Sequence, residues 1–274
     1  MDLEPVTAAV IQLCSGSDRN RNLERAGRLL ESAAHHGARL LVLPENFSYM
    51  GANDEERRRN REDPETSPSI QFLRDYARKL GVWIVGGSIS LATEGERVAN
   101  VSLLVDDKGR IQSRYKKIHL FDANLGGGQT YLESDVVEPG HDPVVVSTPW
   151  GVLGLTVCYD LRFPELFRKL VDMGAILFSV PSAFTLTTGK DHWEVLLRAR
   201  AIENFSYVLA AGQWGQHPGG RRTYGRSMIV DPWGTVVACC PDGEGFAMAE
   251  VDPVRVTRYR GWIPCLDHRV FTWK

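Results

Sequence analysis

Apolar residues along the chain fall into short continuous runs and longer segments with helical spacing. Residues 7–13 and 38–43 are apolar runs of the length expected for buried strands. Residues 20–35, between them, repeat apolar side chains at helical intervals. A strand, a helix and a strand in this order predict a crossover unit with parallel strands.

The same pattern predicts the elements that follow. Helices are expected over residues 69–80, 163–170 and 191–204. Strands are expected over residues 82–90, 98–105, 110–117, 143–147, 152–157, 175–180, 207–212, 227–230, 235–240 and 246–251. Turn signatures such as Asp106-Asp107-Lys108-Gly109 add hairpins to the crossovers. We therefore expect an α/β fold with two mixed sheets covered on the outside by helices.

Length and composition bound the class of protein. The chain has 274 residues, 43% of them hydrophobic, which favours one domain over residues 1–274. Residues 259–274 lack periodicity and are expected to be a C-terminal tail that packs on the domain or on a second subunit. The net charge of -2 gives no reason to expect nucleic acid or an anionic membrane as partner.

The cysteines indicate a reducing compartment. There are five, an odd number, and they form no CxxC pair. No signal peptide and no apolar run of membrane-spanning length is evident. These features predict a soluble cytoplasmic protein.

The segment LGLTVCYDLRFPELFRKL, residues 153–170, carries the strongest candidate for chemistry. It predicts a strand, a sharp turn and a helix, with Cys158 on the turn. The positive end of a helix favours a thiolate and an oxyanion, which suits a nucleophile. The structural alternative is a small buried thiol that closes a core strand.

Three further polar residues follow or lie between predicted strands: Glu45, Lys117 and Glu133. Each has a structural alternative, as a helix cap, a solvated strand end or a loop charge respectively. Together with Cys158 they supply a base, a cation and a thiol, which is a complete set for acyl transfer.

These groups suggest a sequence of steps. A cysteine of ordinary pKa is only about 3% thiolate at neutral pH, so a carboxylate is needed to take its proton. An ammonium, and the backbone N–H of Tyr159, can share the oxyanion that forms, and losing one such donor costs roughly 3–4 kcal/mol of barrier. Departure of ammonia or an amine leaves a thioester, which water then hydrolyses.

The segments PEN (44–46), YKKIHLFD (115–122), YLES (131–134) and CYDLRFPEL (158–166) resemble the motifs of the nitrilase, or carbon-nitrogen hydrolase, superfamily, and the resemblance runs nearly end to end. It implies that Glu45, Lys117 and Cys158 are catalytic and that Glu133 assists. It also implies an α-β-β-α sandwich, and a homodimer or larger assembly in which two sandwiches join into an eight-layer block. Neither a metal nor an organic cofactor is implied.

Residues 181–204, 210–217 and 224–234 resemble more narrowly the branch that includes deaminated glutathione amidase. This implies an amide substrate that carries a carboxylate, with deaminated glutathione favoured and hydrolysed to 2-oxoglutarate and cysteinylglycine. The alternatives are alpha-ketoglutaramate, as in omega-amidases, an N-carbamoyl amino acid or a nitrile. Arg226 stands where the branch usually has histidine, and loop 123–130 differs too; both are expected near the substrate.

Other side chains are candidates for substrate contact. Arg162 can hold a carboxylate with two hydrogen bonds, or form a salt bridge to Glu165 or Asp160. Ser182, Phe184 and Thr185 follow a predicted strand end, where they line a pocket or shape a turn. Packing is favoured for His192 and Trp193, and His119 is not expected to be a catalytic partner.

The remaining features favour other roles. The charge run DEERRRNRED (54–63) is typical of a solvated helix face or loop. The glycine-rich segment FDANLGGGQ (121–129) lacks phosphate-binding signatures, so we interpret it as a flexible lid or rim. A non-catalytic interaction protein is disfavoured because no central residue is lost. A cysteine–histidine protease would need a histidine against Cys158, and the histidines lack metal-ligand spacing.

Overall fold

The computed structural model describes residues 3–126 and 130–271. The helices are α1 (Arg19–His35), α2 (Asp54–Arg59), α3 (Pro68–Leu80), α4 (Pro164–Asp172), α5 (Leu186–Asn204) and α6 (Pro253–Trp262). The strands are β1 (Val6–Gln12), β2 (Leu40–Val42), β3 (Trp83–Val85), β4 (Ile89–Ala92), β5 (Val98–Val105), β6 (Ile111–Lys116), β7 (Asp122–Asn124), β8 (Thr130–Leu132), β9 (Val144–Thr148), β10 (Gly151–Leu155), β11 (Leu177–Ser179), β12 (Tyr207–Ala210), β13 (Trp214–Gln216), β14 (Arg222–Tyr224), β15 (Met228–Val230), β16 (Val236–Cys239) and β17 (Gly245–Val251). Short 3₁₀ turns cover Glu133–Asp135, Cys158–Arg162 and Pro218–Gly220.

Two mixed sheets carry the fold. The first has the order β17-β1-β2-β3-β5-β4, with β6 paired to β5, and the second has the order β16-β15-β12-β11-β10-β9. β1, β2 and β3 run parallel, as do β10, β11 and β12, and the outer pairs are antiparallel. The mixed character predicted from hairpins and crossovers is confirmed.

The sheets pack face to face, and alternation along each strand divides the side chains between layers. In β1, Ala8 and Val10 join the core shared with Leu153 and Leu155 of β10, whereas Ile11 points to the other core under α1 and α3. Helices α4 and α5 cover the outer face of the second sheet. The result is the expected four-layer α-β-β-α sandwich.

Glycine breaks one predicted strand. Residues 82–90 form β3 and β4 with a bend at Gly86-Gly87, not one continuous strand. Gly87 has φ of 49°, and a Cβ there would lie 2.0 Å from the carbonyl oxygen of Pro44. The backbone at Gly87 therefore packs directly against the residue before Glu45.

The sequence analysis placed the start of one helix wrongly and missed another helix. Helix α5 begins at Leu186, five residues before the predicted start. Helix α6 was missed, so the segment from residue 259 begins inside a helix and not in an aperiodic tail. Arg260 of α6 donates to the carbonyls of Ala175 and Asn204, while Phe271 is exposed. The part of the tail that the structure describes thus packs partly on the sandwich.

Across residues 3–126 and 130–271, no helix combines the length and apolar character needed to span a bilayer.

Candidate active site

Cys158 lies where the chain leaves β10 and enters a 3₁₀ turn. Its backbone has φ of 51°, a left-handed conformation that costs a non-glycine residue on the order of 1–3 kcal/mol. Its N–H donates to the carbonyl of Pro181 at 2.8 Å, which holds this conformation in place. The side chain is 8% exposed and lines a cavity. The predicted strand–turn–helix is present, with the thiol on the turn.

Glu45 follows β2 and is 2% exposed. Its Oε2 accepts the N–H of Ala183 at 2.9 Å, and its Oε1 accepts the amide of Asn100 at 3.0 Å. The Gln213 side chain donates to the Glu45 carbonyl at 3.0 Å. These hydrogen bonds hold the carboxylate in a fixed orientation.

Lys117 follows β6 and is 1% exposed. Its Nζ lies 3.2 Å from Glu45 Oε1 and 2.7 Å from Glu133 Oε2. Burial alone lowers the pKa of Lys117, but the charges of Glu133, Glu45 and Cys158 outweigh it and the pKa lies above its ordinary value. The ammonium is therefore charged at neutral pH.

Glu133 opens the 3₁₀ turn after the β7–β8 hairpin. Its Oε2 also accepts the N–H of Phe121 at 2.8 Å, and its Oε1 lies 3.5 Å from Arg57 Nη1. Burial raises the pKa of Glu133, but Lys117 and Arg57 lower it to about 2. Glu133 is therefore ionised at neutral pH and, together with Glu45, holds the ammonium of Lys117.

The thiol of Cys158 is protonated at rest. Burial raises the pKa of Cys158 first, and Glu45 raises it further by charge and hydrogen bonding, while Lys117 only partly offsets them. Desolvation and the neighbouring carboxylate therefore outweigh the stabilisation that Lys117 gives the thiolate, and the sulfur needs a base to take its proton. Glu45 is placed to take the proton during attack.

The cavity encloses about 740 Å³ of space, part of which is open to solvent. Among the described residues that line it, the predicted Arg162, Phe184 and Thr185 are present, as is Tyr159. The Arg162 guanidinium lies over the Phe184 ring at 5.2 Å, and its nitrogens are 3.3–3.4 Å from His192 Nδ1. No ion pair of the described residues joins Arg162 to Glu165 or Asp160.

Two residues expected near substrate lie elsewhere. Ser182 is fully buried, and its hydroxyl is 3.4 Å from the carbonyl of Val180, so it shapes the turn that positions Ala183. Arg226 is absent from the described lining and pairs with Asp242 at 3.3 Å. Of loop 123–130, Thr130 lines the cavity, and residues 127–129 lie outside the described ranges.

Asp160 ties the cysteine turn to the strand that carries Lys117. It is fully buried, and it accepts the Val157 N–H at 2.8 Å and the Tyr115 hydroxyl at 2.7 Å. The His119 N–H donates to it at 3.1 Å, and His119 Nδ1 lies 2.8 Å away. His119 therefore faces Asp160, and no histidine is among the described residues that line the cavity, as a cysteine–histidine protease would require.

Several site residues were missed by sequence reasoning. Arg57 belongs to the charge run interpreted as solvated, and nothing local distinguishes it from Arg58 or Arg59. Asn100 and Arg221 reach the site from β5 and from the residue before β14, and only tertiary structure brings them there. The glycine-rich segment contributes Phe121, beside Thr130 and Tyr131, to the rim, as expected.

Comparisons with known proteins agree with this geometry. The family model described as carbon-nitrogen hydrolase matches residues 7–261. A deaminated glutathione amidase of Synechocystis sp. is 42% identical over 273 residues, covering 98% of this chain and 100% of the relative. Nit3 of Saccharomyces cerevisiae, a nitrilase-superfamily protein, has a TM-score of 0.88 and 32% identity, over 98% of this chain and 97% of that one.

A third similar structure bears on the chemistry. A variant of an amidase from Nesterenkonia sp. AN1 carries the acetamide moiety of fluoroacetamide covalently added at its active-site cysteine. It has a TM-score of 0.79 and 26% identity, covering 96% of this chain and 97% of that one. The family match spans most of the chain, and the fold agrees with it. The chain belongs to the carbon-nitrogen hydrolase family.

Proposed function

We propose that this hydrolase is a deaminated glutathione amidase, which cleaves its substrate to 2-oxoglutarate and cysteinylglycine through a thioester on Cys158. The observation that carries the proposal is the convergence of Glu45, Lys117 and Cys158 in one buried pit. The similarity to deaminated glutathione amidases supports the choice of substrate. Such a reaction removes a damaged form of glutathione and is a form of metabolite repair.

In the first half-reaction, Glu45 takes the Cys158 proton while the sulfur attacks the amide carbonyl carbon. Negative charge moves to the carbonyl oxygen, which the Lys117 ammonium and the Tyr159 N–H stabilise. Collapse of this intermediate breaks the carbon–nitrogen bond. Glu45 returns its proton to the leaving nitrogen, so cysteinylglycine departs as a neutral amine and the thioester remains.

In the second half-reaction, Glu45 removes a proton from water, which attacks the thioester carbonyl at the same oxyanion site. Collapse breaks the carbon–sulfur bond, Cys158 regains the proton, and 2-oxoglutarate leaves. Lys117 stays charged throughout, because Glu133 holds it in place as a permanent counter-ion. Arg162, on the cavity wall, is placed to bind the carboxylate of the acyl half.

Release of 2-oxoglutarate provides the test, because deaminated glutathione and alpha-ketoglutaramate both yield it. We expect kcat/KM to be higher for deaminated glutathione, and we expect Cys158→Ala to abolish turnover of both. Equal or faster turnover of alpha-ketoglutaramate would instead assign the protein as an omega-amidase. An active Cys158→Ala variant, or full activity in Glu45→Gln, would refute the mechanism.

We further propose that the protein is a homodimer in the cytoplasm. Trp233, Trp262 and Ile202 are large exposed apolar side chains, and Trp233 contacts Trp262 with ring centroids 6.3 Å apart. An apolar surface of this kind is typical of an interface between subunits. All five cysteines are free thiols, which supports a reducing compartment. Sedimentation equilibrium of the wild type beside Trp262→Asp tests the dimer: we expect the variant to be a monomer.

A further inference from the structure

The catalytic pit shares lining residues with a second cavity, which we call the outer basin. The outer basin encloses about 1450 Å³ of space, part of which is open to solvent, and its described lining lacks Cys158, Lys117 and Arg162. The pit and the outer basin share part of their walls, namely Asn46, Asp54, Arg57, Thr130, Tyr131 and Thr185 together with Arg221. A substrate whose carbonyl lies at Cys158 can therefore extend its leaving half into the outer basin.

Arg221 stands at the junction of the two cavities without a carboxylate partner. No ion pair of the described residues includes it. Its Nη2 donates to the Ala183 carbonyl at 3.2 Å, its guanidinium lies 5.6 Å from the Tyr131 ring centroid, and its Nε is buried without a hydrogen-bond partner. The side chain is thus braced, but its charge is not neutralised.

Arg57 also lines both cavities, but unlike Arg221 it has a carboxylate partner. It lies 3.5 Å from Glu133 and donates to the hydroxyl of Ser90 at 3.0 Å, so its charge already serves the catalytic site. Asp54 is the acidic side chain among the described residues of the outer basin, and Arg221 and Arg222 outnumber it even without Arg57. The wall that a leaving group meets is therefore cationic.

One residue, Ala183, links Arg221 to Glu45. The N–H of Ala183 donates to Glu45 Oε2 at 2.9 Å, and the carbonyl of Ala183 accepts from Arg221. Since Glu45 delivers the proton to the leaving nitrogen, the guanidinium lies on the side of the site where that nitrogen departs. Arg162 lines the pit but not the outer basin, which places it toward the acyl half.

We propose that Arg221 binds a carboxylate on the amine half of the substrate, so that the enzyme recognises a dianion with one arginine at each end. This inference rests on the proposed function and refines it. Deaminated glutathione carries a glycine carboxylate on its leaving dipeptide, whereas the ammonia released from alpha-ketoglutaramate carries none. Arg221 is then the residue that separates the two substrates.

The test compares three substrates: deaminated glutathione, the same molecule with its glycine carboxylate converted to a carboxamide, and alpha-ketoglutaramate. The readout is kcat/KM for release of 2-oxoglutarate by the wild type, Arg221→Ala and Arg222→Ala. We expect the wild type to favour the carboxylate over the carboxamide by about tenfold or more, as for a charge-assisted hydrogen bond. Arg221→Ala should remove this preference, mainly through KM, and Arg222→Ala should keep it.

The ratios of kcat/KM between the substrates, compared across the variants, distinguish the outcomes. If Arg221→Ala lowers kcat/KM equally for all three substrates, Arg221 has a structural role and the proposal is overturned. The same follows if the preference survives in Arg221→Ala or disappears only in Arg222→Ala. If the wild type hydrolyses alpha-ketoglutaramate but neither peptide substrate, the proposed function fails, and the anion site fails with it.

Discussion

Glu133→Gln tests whether the buried ion pair with Lys117 stabilises the fold as well as the site. The carboxylate lies 2.7 Å from Lys117 Nζ and 3.5 Å from Arg57 Nη1. Glutamine keeps the shape of the side chain and can still accept the N–H of Phe121, but it removes the negative charge. Lys117 then keeps only Glu45 as its counter-ion, and leaving a buried charge short of a partner is costly.

The shift in the pKa of Glu133 gives the size of the expected loss in unfolding free energy. Burial raises this pKa, but Lys117 and Arg57 lower it from an ordinary 4.5 to about 2, which corresponds to about 3 kcal/mol. Because the folded pKa is lowered, this stabilisation is complete above pH 4.5 and is lost as the pH falls through about 2. We therefore expect Glu133→Gln to lose about 3 kcal/mol of unfolding free energy at pH 7 and about 2 kcal/mol at pH 3.5.

Urea unfolding followed by the fluorescence of the seven tryptophans measures both values. The matched control is Glu138→Gln, which removes a carboxylate 2.5 Å from Lys116, the neighbouring lysine, at a solvent-exposed site. Exposed pairs contribute little, so the control should unfold almost like the wild type. A loss in Glu133→Gln no larger than in the control, or one that stays constant between pH 7 and 3.5, would refute the reasoning.

Three further predictions concern the site and the elements that support it. Glu45→Gln should lower the apparent pKa of Cys158, because Glu45 raises it, while reducing hydrolysis; the pH dependence of alkylation by iodoacetamide measures the shift, and an upward shift contradicts it. Gly87→Ala should destabilise by about 2 kcal/mol or more, since its Cβ meets Pro44, whereas Gly81→Ala, with a similar φ of 63° and open space, should lose about 1 kcal/mol; equal losses in thermal unfolding would exclude the contact as the cause. Asp160→Asn should reduce kcat and change KM little, because it weakens the contact between the turn at Cys158 and β6, the strand that precedes Lys117. An unchanged kcat in steady-state assays would show that this contact is dispensable.

The sequence predicts most strands of the sandwich because buried runs leave a direct periodic signal. The sequence does not predict elements whose position or bounds depend on contacts between distant parts of the chain. Helix α6 buries little beyond Pro253 and Val256, so it leaves almost no apolar stripe to detect. The bend at Gly87 depends on Pro44, a residue distant in sequence, and no local pattern distinguishes it from a glycine inside a strand.

The site was predictable to the extent that it is carried by motifs. Glu45, Lys117, Glu133 and Cys158 converge as the resemblance implied. The direction in which the pKa of Cys158 moves was not predictable, because it depends on the burial of the thiol and on its distance from Glu45, which only the tertiary structure gives. Arg57 and Arg221 could not be found because neither the charge run nor the residue before β14 indicates which side chain turns inward.

The base and the nucleophile of the proposed mechanism belong to different sheets, Glu45 after β2 and Cys158 after β10. The rate of hydrolysis therefore depends on how the two sheets are positioned relative to each other. A core substitution that lets one layer slide by the width of a side chain would separate sulfur from carboxylate while circular dichroism still reported intact helices and strands. Loss of turnover on heating should for this reason precede loss of secondary structure.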